Sequence, residues 1–239
     1  MDKGNGNYFI DFGRAWVGGI RLATQNGTAG TVLDVRYGKV TSGPNTVKYP
    51  MSTGNNYQDK WTLKGGAQTL ETWGIRVFRY VEILGAKEPI TTDNLQAVAL
   101  VYPFDEKASS FTSSNDNLNQ VWQLSKNTIE MANVNLYVNS WTRERRAYGA
   151  DSYLQQMASS YLSPASTLGD YSMDYLIANR TRPTEWPLYT ILSVHDSWMN
   201  TGSTSQLVAQ YDKLSATLPY KWPCLPVDFP RETRIQSPK

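Results

Sequence analysis

The side chains best suited to chemistry are concentrated in residues 139–151, which read Asn-Ser-Trp-Thr-Arg-Glu-Arg-Arg-Ala-Tyr-Gly-Ala-Asp. Glu144 lies between Arg143 and Arg145, and Asp151 follows seven residues after Glu144. Carboxyl groups can transfer protons, and guanidinium groups can donate paired hydrogen bonds to oxygen atoms. These residue types indicate a binding or catalytic site rich in polar contacts.

Two aromatic residues in the same stretch, Trp141 and Tyr148, supply flat apolar faces of the kind that pack against sugar rings. Together with the carboxylates and guanidinium groups they favour a carbohydrate site. A plainer interpretation stays open, because a run such as Arg-Glu-Arg-Arg is usually a solvated surface whose exposed ion pairs contribute about 0.2–1 kcal/mol each.

The composition is that of a folded, aromatic-rich protein with room for one large domain or two ordinary ones. Of the 239 residues, 40% are hydrophobic and 12% aromatic, which excludes a disordered chain. A formal net charge of +2 provides no basic surface for phosphates. We therefore expect no nucleic-acid partner.

Targeting and redox signals leave the compartment open. No apolar run reaches the roughly 18 residues that span a bilayer, and residues 1–6 lack the apolar segment of a signal peptide. The single Cys224 cannot form an internal disulfide and is expected to be a buried thiol. The sequence predicts a soluble chain without a membrane partner, either cytoplasmic or secreted from a longer precursor, and leaves its oligomeric state undetermined.

Neither a metal nor a cofactor is expected, because no His, Cys and carboxylate cluster has ligand spacing. The only histidine precedes an aspartate, in His195-Asp196. Adjacent residues on a helix point about 100° apart, so the two side chains are not expected to form a useful hydrogen bond. We interpret His195 as a packing residue or a group at the rim of a site.

The N-terminal hundred residues have the pattern of short strands separated by turns. Strands are predicted at 8–12, 16–22, 31–37, 59–63, 74–84 and 95–102, because these segments are rich in β-branched and aromatic residues. Asn26-Gly27 is a typical hairpin turn. Many short strands with such turns favour a β-sandwich.

The apolar period changes to that of helices from about Ser113. A helix of five or six turns, capped by Ser114 or Asn115, is predicted first, and four shorter ones follow. Their apolar faces are Leu118, Val121, Trp122, Ile129 and Ala132; Leu154, Met157, Ala158, Tyr161 and Leu162; Leu168, Tyr171, Tyr175 and Leu176; Leu188, Ile191, Leu192 and Trp198; and Leu207, Val208, Tyr211 and Leu214.

Pro164 separates the second helix from the third, a loop with Pro183 follows the third, and Gly202 ends the fourth. Short connections imply antiparallel neighbours, so the array is either a compact bundle or the opening part of a helical toroid. The tail from Pro219 has apolar residues without a helical period, which favours the toroid and a chain that ends before the toroid is complete.

Several stretches together resemble the bacterial-type α-L-rhamnosidases of glycoside hydrolase family 78. Their order along the chain is specific, although each is weak alone. They are Phe9-Ile-Asp-Phe-Gly13, Trp16-Val-Gly-Gly, Thr62-Leu-Lys-Gly-Gly66 and Val77-Phe-Arg-Tyr-Val-Glu-Ile-Leu-Gly85, which are similar to the β-sandwich that precedes the family's catalytic domain.

The helix around Asn117-Leu-Asn-Gln-Val-Trp122 and residues 139–151 resemble the start of the family's (α/α)6 catalytic toroid. The family signature is Asp-x-x-x-Arg-Glu, then Trp and a second Asp. Matched residue by residue, the resemblance implies that Glu144 is the general acid of an inverting hydrolysis. It also implies that Arg143 and Asp151 bind the rhamnose hydroxyl groups.

Two positions depart from that signature. Asn139 stands where the first Asp is expected, so it can bind a hydroxyl group but lacks the charge, and Tyr148 replaces the stacking Trp. The family also lines its sugar pocket with aromatic walls. Trp186 and Trp198 could reach the pocket, although core packing explains them equally well.

The family's catalytic base is a Glu from the second half of the toroid, so the resemblance implies that the base is missing from this chain. Glu185 is a weak substitute, because a Glu at that point is more typical of a helix N-terminus, where the helix dipole favours it.

We therefore expect an incomplete β-sandwich over residues 1–105 and the N-terminal part of an (α/α)6 domain over residues 106–239. The expected function is release of terminal rhamnose from a rhamnose-containing glycoside or polysaccharide. The chain alone is expected to turn over weakly or not at all. The alternative is a carbohydrate-binding or pseudo-enzymatic module that holds sugar without catalysis.

Overall fold

The computed structural model describes residues 1–105, 107–164, 167–182 and 185–218. Pro183 and the tail from Pro219, with Cys224, lie outside the described residues. The strands are β1 (Asp2–Gly4), β2 (Asn7–Gly27), β3 (Val32–Gly38), β4 (Thr41–Gly43), β5 (Thr46–Val47), β6 (Gln58–Thr62), β7 (Gly66–Glu71), β8 (Arg76–Leu84) and β9 (Leu95–Ala99). The helices are α1 (Asp116–Ala132), α2 (Gly149–Leu162), α3 (Thr167–Ala178), α4 (Trp186–Thr201) and α5 (Ser205–Ser215).

The sheet is organised around β2, a single strand of 21 residues that the sequence indicated as two. At Gly18 it pairs with Arg76 of β8 and with Ala99 of β9, so these two strands flank β2 on opposite edges. Its pairing with β8 is broken between Asp11 and Trp16, a bulge that bends the strand. The N-terminal part of β2 therefore pairs with β8, and its C-terminal part pairs with β7 and β9.

The strand order is β1-β2-β8-β3-β6, with β7 and β9 pairing the remaining length of β2. The hairpin expected at Asn26-Gly27 is wrong, because β8 lies between β2 and β3. Gly27 is paired with Gly66 of β7 instead. The turn signal marks the end of a strand correctly but does not determine which strand becomes the partner.

One face of the curled sheet forms the N-terminal core. On β3, the alternate residues Leu33, Val35 and Tyr37 are fully buried, as expected for a strand with one face against a core. The core residues are Ile20, Leu22, Leu33, Val35, Tyr37, Tyr57, Leu63, Phe78, Val81, Ile83 and Leu95. The prediction of a sandwich-like, sheet-rich region followed by several helices is confirmed.

Helix α1 begins as predicted, since the Asn115 side chain accepts a hydrogen bond from the Asn117 backbone N–H at 3.0 Å. Its expected buried face is only partly covered. Leu118 and Val121 are 51% and 58% exposed, and Leu124 at the edge of that face is 67% exposed. Trp122 packs on the Phe111 ring at a centroid distance of 5.5 Å, and near the C-terminus Glu130 pairs with Arg14 of β2.

Helices α2 and α4 pack through small and polar residues, contrary to prediction. Ser152, Gln156 and Ser159 of α2 are buried, and the Gln156 Nε2 donates to the Ser193 carbonyl of α4 at 2.6 Å. Of the apolar face predicted for α2, Leu162 is buried as expected. The rest points outward: Leu154, Met157 and Tyr161 are 64%, 36% and 76% exposed. Small side chains let two helices approach closely, which an apolar period does not reveal.

Helices α3 and α5 bury part of their predicted faces. Leu168, Leu176 and Leu214 belong to the helical core, which comprises Tyr137, Ala147, Leu168, Met173, Leu176, Val194 and Leu214. Ile191 of α4 and Leu207 of α5 are partly buried against this core, as predicted. The prediction of burial is wrong for the residues on the side of each helix that faces away from the core. The exposed residues are Tyr171, Tyr175, Leu192, Trp198, Val208 and Tyr211.

Alternate helices run in the same direction. Along α2 and α4, Gly149 lies against Trp186 and Gln156 contacts Ser193, in matching order. Along α3 and α5, the carbonyl of Asp170 accepts from Gln206, and the Asp174 carboxylate accepts from Gln206 and, one turn later, from Gln210. Helices α2 and α4 therefore run parallel to each other, as do α3 and α5.

In the part of the chain described above, no helix is long and apolar enough to cross a bilayer.

Candidate functional site

A closed loop carries the central part of the candidate site between α1 and α2. The Asn139 N–H donates to the Arg146 carbonyl at 2.9 Å, and the Arg145 N–H donates to the Ser140 carbonyl at 3.0 Å. Arg145 adopts a left-handed conformation with a φ of 54°. These features fold residues 139–146 back on themselves and bring Asn139 next to Glu144.

Three of the predicted residues contact one another in this loop. The Asn139 Nδ2 donates to the Glu144 Oε2, and the Arg143 Nη2 lies 3.4 Å from the same oxygen. The side chains of Arg143 and Glu144 are 59% and 36% exposed, so the group is open to ligands. The other carboxylate oxygen of Glu144, Oε1, has no hydrogen-bond partner among the described residues.

Asp151 lies in the first turn of α2 and joins the same electrostatic group. Its pKa is raised, first by burial and second by the negative charge of Glu144, while Arg143 opposes the increase. Gly149 is the first residue of α2, so Asp151 lies on the helix and Glu144 in the loop. Helix and loop thus contribute one carboxyl group each.

The aromatic part of the site is formed by Tyr148 and Trp186. Their rings meet edge to face at a centroid distance of 6.0 Å. The Arg182 guanidinium lies over both rings, at 5.7 Å from Tyr148 and 6.0 Å from Trp186. Arg182 was not predicted from the sequence. Its backbone is left-handed, with a φ of 61°, and no sequence motif indicates that its guanidinium would lie on these two rings.

Trp141 does not join these aromatic residues. Its indole N–H donates to the Ala132 carbonyl at 2.8 Å, and the ring lines a groove with Leu124 and Met131 between α1 and the sheet. The expectation that Trp141 presents a face to sugar beside Tyr148 is therefore wrong. The indole instead fixes the loop to the end of α1.

The loop is also held by the β-sheet domain, a support that sequence reasoning missed. The Arg145 Nη2 donates to the Ile75 carbonyl at 2.8 Å and to the Tyr57 hydroxyl at 3.3 Å. The Asn55 Nδ2 donates to the Thr142 carbonyl at 2.5 Å. These contacts join residues 70 to 88 positions apart in the chain, so no local pattern could indicate them.

The expectation that His195 and Asp196 do not meet is wrong. The His195 Nδ1 lies 3.3 Å from an Asp196 carboxylate oxygen. Rotation about the side-chain torsions brings these two polar groups together, although the Cβ atoms point in different directions. The His195 side chain is 56% exposed. Its ring also packs edge to face on Trp198 at 5.7 Å, and neither residue contacts the loop. Glu185 is the N-cap residue of α4, the position expected from the helix dipole.

A large cavity lies elsewhere. A cavity of about 420 Å³ opens among α2, α3 and α4, lined by polar residues that include Gln156, Asp170 and Ser197. None of the predicted site residues lines it. Among the residues described, no three His, Cys, Asp or Glu side chains are grouped to hold a metal ion.

Residues 1–101 match the family model of the bacterial α-L-rhamnosidase concanavalin-like domain. A search of curated protein sequences found no match. The fold is similar to the family 78 rhamnosidase of Bacillus sp. GL1, with a TM-score of 0.76 and 20% identity. It is also similar to the α-L-rhamnosidase of Dictyoglumus thermophilum, with a TM-score of 0.74 and 18% identity. The α-L-rhamnosidase of Streptomyces avermitilis complexed with L-rhamnose gives a TM-score of 0.72 and 20% identity.

These matches cover 89%, 91% and 92% of this chain but 24%, 27% and 23% of the three solved chains, respectively. The chain therefore spans about a quarter of their length. The resemblance to bacterial-type α-L-rhamnosidases, which are glycosidases, is confirmed. At such low identity the solved structures establish the fold alone, and they leave the roles of individual residues to be tested.

Proposed function

We propose that this chain contributes the acid side of an α-L-rhamnosidase site, with Glu144 as the general acid. The observation that carries the proposal is the contact among Asn139, Arg143 and Glu144, next to a second carboxyl group on Asp151. Both donors approach Oε2 of Glu144. Oε1 is therefore left to carry the proton that passes to the leaving oxygen of the glycoside.

The remaining residues bind the sugar. Arg143 and the Asn139 amide donate hydrogen bonds to ring hydroxyl groups, and Asp151 accepts from them. Tyr148 and Trp186 form an apolar wall against the ring carbons. The substrate class is a glycoside or polysaccharide with a terminal α-L-rhamnose, and the resemblance to rhamnosidases supports this choice of sugar.

An inverting hydrolysis also needs a base, at roughly 6.5–9.5 Å from the acid, to remove a proton from water. We assign no base to the described residues. The resemblance implies a Glu from the second half of an (α/α)6 toroid. The parallel alternate helices support such a toroid, and the family match over residues 1–101 supports a domain boundary near residue 105.

The acid role can be tested without a base by supplying azide as the nucleophile. Azide attacks the anomeric carbon, the bond to the leaving oxygen breaks, and that oxygen takes the Glu144 proton, so the product is a rhamnosyl azide of inverted configuration. With an alkyl rhamnoside, whose leaving group needs the proton, the Glu144→Gln variant should lose about 10²–10⁴-fold of the azide-dependent rate. An unchanged rate in that variant would show that Glu144 is not the acid.

The second candidate is a sugar-binding module without catalysis. Asn139 favours it, because an amide replaces the carboxylate expected at this position of the signature. In this case L-rhamnose binds, no azide product forms from any rhamnoside, and the Glu144→Gln variant binds the sugar as the wild type does.

A further inference from the structure

The contacts of Arg145 link the Glu144 loop to the β-sheet domain. We propose that Arg145 is a positioning residue: it anchors the loop to the sheet, so that the sheet sets where Glu144 lies relative to Asp151. This inference rests on the proposed function for its consequence in sugar binding, while the anchoring itself is a property of the structure. Arg145 contacts neither Glu144 nor Asp151 with its side chain.

The guanidinium group is used on two sides. Its Nε donates to the Trp141 carbonyl within the loop at 2.9 Å, and its Nη2 donates to the Ile75 carbonyl and the Tyr57 hydroxyl of the sheet domain. A planar fork of donors suits such bridging, and the single ammonium of a lysine does not reproduce it. The side chain therefore connects two parts of the fold.

The backbone of Arg145 makes the same residue the pivot of the loop. Its φ of 54° lies in the left-handed region, which non-glycine residues rarely adopt, and its N–H closes the loop onto Ser140. Glu144 directly precedes this pivot. A change in the torsions at Arg145 therefore moves Glu144 relative to Asn139, while the side-chain contacts of Arg145 oppose that change.

A second group of contacts also attaches the loop to the sheet domain. The sheet-domain residues Asn55 and Lys39 contact the carbonyl and the hydroxyl of Thr142, at 2.5 and 3.4 Å. The Tyr57 side chain, whose hydroxyl accepts from Arg145, is buried in the sheet core, so it is a rigid support. The loop is thus attached to the sheet at two points that flank Glu144.

The test compares Arg145→Gly with Arg146→Ala. Glycine adopts the left-handed backbone without strain and removes the whole side chain, with its guanidinium contacts. Arg146 is a matched control, because it is exposed in the same loop and its observed contact is made by its backbone carbonyl. Amide hydrogen exchange should show protection of residues 140–146 falling at least about tenfold in Arg145→Gly and staying unchanged in Arg146→Ala.

Two further measurements separate positioning from general stability. In Arg145→Gly the pKa of Asp151, followed by NMR of its carboxyl carbon, should fall toward 3.8, because Glu144 is no longer held nearby. The dissociation constant for L-rhamnose should rise about tenfold, with Arg145→Lys intermediate and Arg146→Ala unchanged. A merely structural loss would not be graded in this way.

Loop protection and an Asp151 pKa in Arg145→Gly equal to those of the wild type would overturn the inference. If the wild type does not bind rhamnose, the proposed function fails, and the exchange and titration results still decide the anchoring. If Arg145→Gly does not fold, Asn55→Ala removes the other attachment and should produce the same loss of protection. Unchanged protection in that variant would then overturn the inference.

Discussion

The contact between Gly149 and α4 leads to a quantitative prediction. A Cβ atom added at Gly149 would lie 2.5 Å from the backbone oxygen of Trp186 and 3.3 Å from its carbonyl carbon. Ordinary carbon contacts begin near 3.5 Å, so α4 must move by roughly 1 Å to accept Gly149→Ala. The obstacle is backbone, which cannot rotate away as a side chain can.

The expected cost follows from two opposing effects. Overpacking of a tight interface costs about 1–3 kcal/mol, while alanine gains at most about 1 kcal/mol of helix propensity over glycine. We expect Gly149→Ala to lower the free energy of unfolding by about 1–2 kcal/mol. In a chain of this length, that is a fall of roughly 2–8 °C in Tm.

Urea unfolding followed by circular dichroism at 222 nm, which reports the helices, is the assay. Gly43→Ala is the control, because nothing lies within 4 Å of its added Cβ, and it should change stability by less than about 0.5 kcal/mol. Gly169→Ala, whose Cβ would lie 3.3 Å from the side-chain hydroxyl of Tyr137 and not against backbone, should fall between them. A Gly149→Ala variant as stable as the wild type would refute the close packing of α2 on α4.

Five other variants test the charges around Asp151, the cap of α1 and the exposed face of α2. Glu144→Gln should lower the pKa of Asp151 and Arg143→Gln should raise it, as read from carboxyl NMR; shifts in the reverse sense would contradict their proximity. The pKa of Asp151 is higher in the native state than the unfolded value of 3.8, so the native state binds more protons between these two pKa values. The contribution of Asp151 to stability therefore falls as the pH rises from 3.8 through the native pKa. Asn115→Ala removes the cap of α1 and should cost about 1 kcal/mol in thermal unfolding, whereas Asn115→Ser should not. Leu154→Gln replaces an apolar residue that is 64% exposed and should reduce self-association in sedimentation velocity if that face aggregates; greater association would refute this.

Only some elements of the fold could be predicted from local patterns, since β1, β4, β5 and β7 lie outside the predicted strands. Strand alternation on β3 and the capped helix α1 depend on neighbours in sequence, and both are found at nearly the predicted bounds. The partners of those elements could not be predicted. The end of β2 at Asn26-Gly27 is visible in the sequence. Its pairing with β7 joins segments that are distant in the chain and has no local signal.

The buried faces of the helices show a different limit. An apolar period identifies which side chains share a face, but not whether another element covers that face. On α2 the covered face is Ser152, Gln156 and Ser159. Gln156 bonds to α4, and the two serines bond to the segment that follows α1, through Tyr137 and Asn133. Leu154 and Tyr161 of the predicted apolar face are exposed.

The part of the candidate site that depends on local contacts could be predicted, whereas the part that depends on distant segments could not. Asn139, Arg143 and Glu144 lie within six residues and meet through local loop geometry, so the sequence motif was sufficient to group them. Trp141 was misplaced because its indole bonds to α1. The support that Arg145 receives from the sheet joins distant segments and has no local signal.

The most direct test of the proposed site is a titration of the ¹⁵N-labelled chain with L-rhamnose, followed by amide NMR shifts. We predict saturable shifts concentrated in residues 139–151 and at Trp186. Arg143→Gln should weaken the affinity for rhamnose about 10–100-fold, because charged hydrogen bonds are lost. Shifts confined to the cavity among α2, α3 and α4, or no shifts at rhamnose concentrations well above millimolar, would contradict the proposed site.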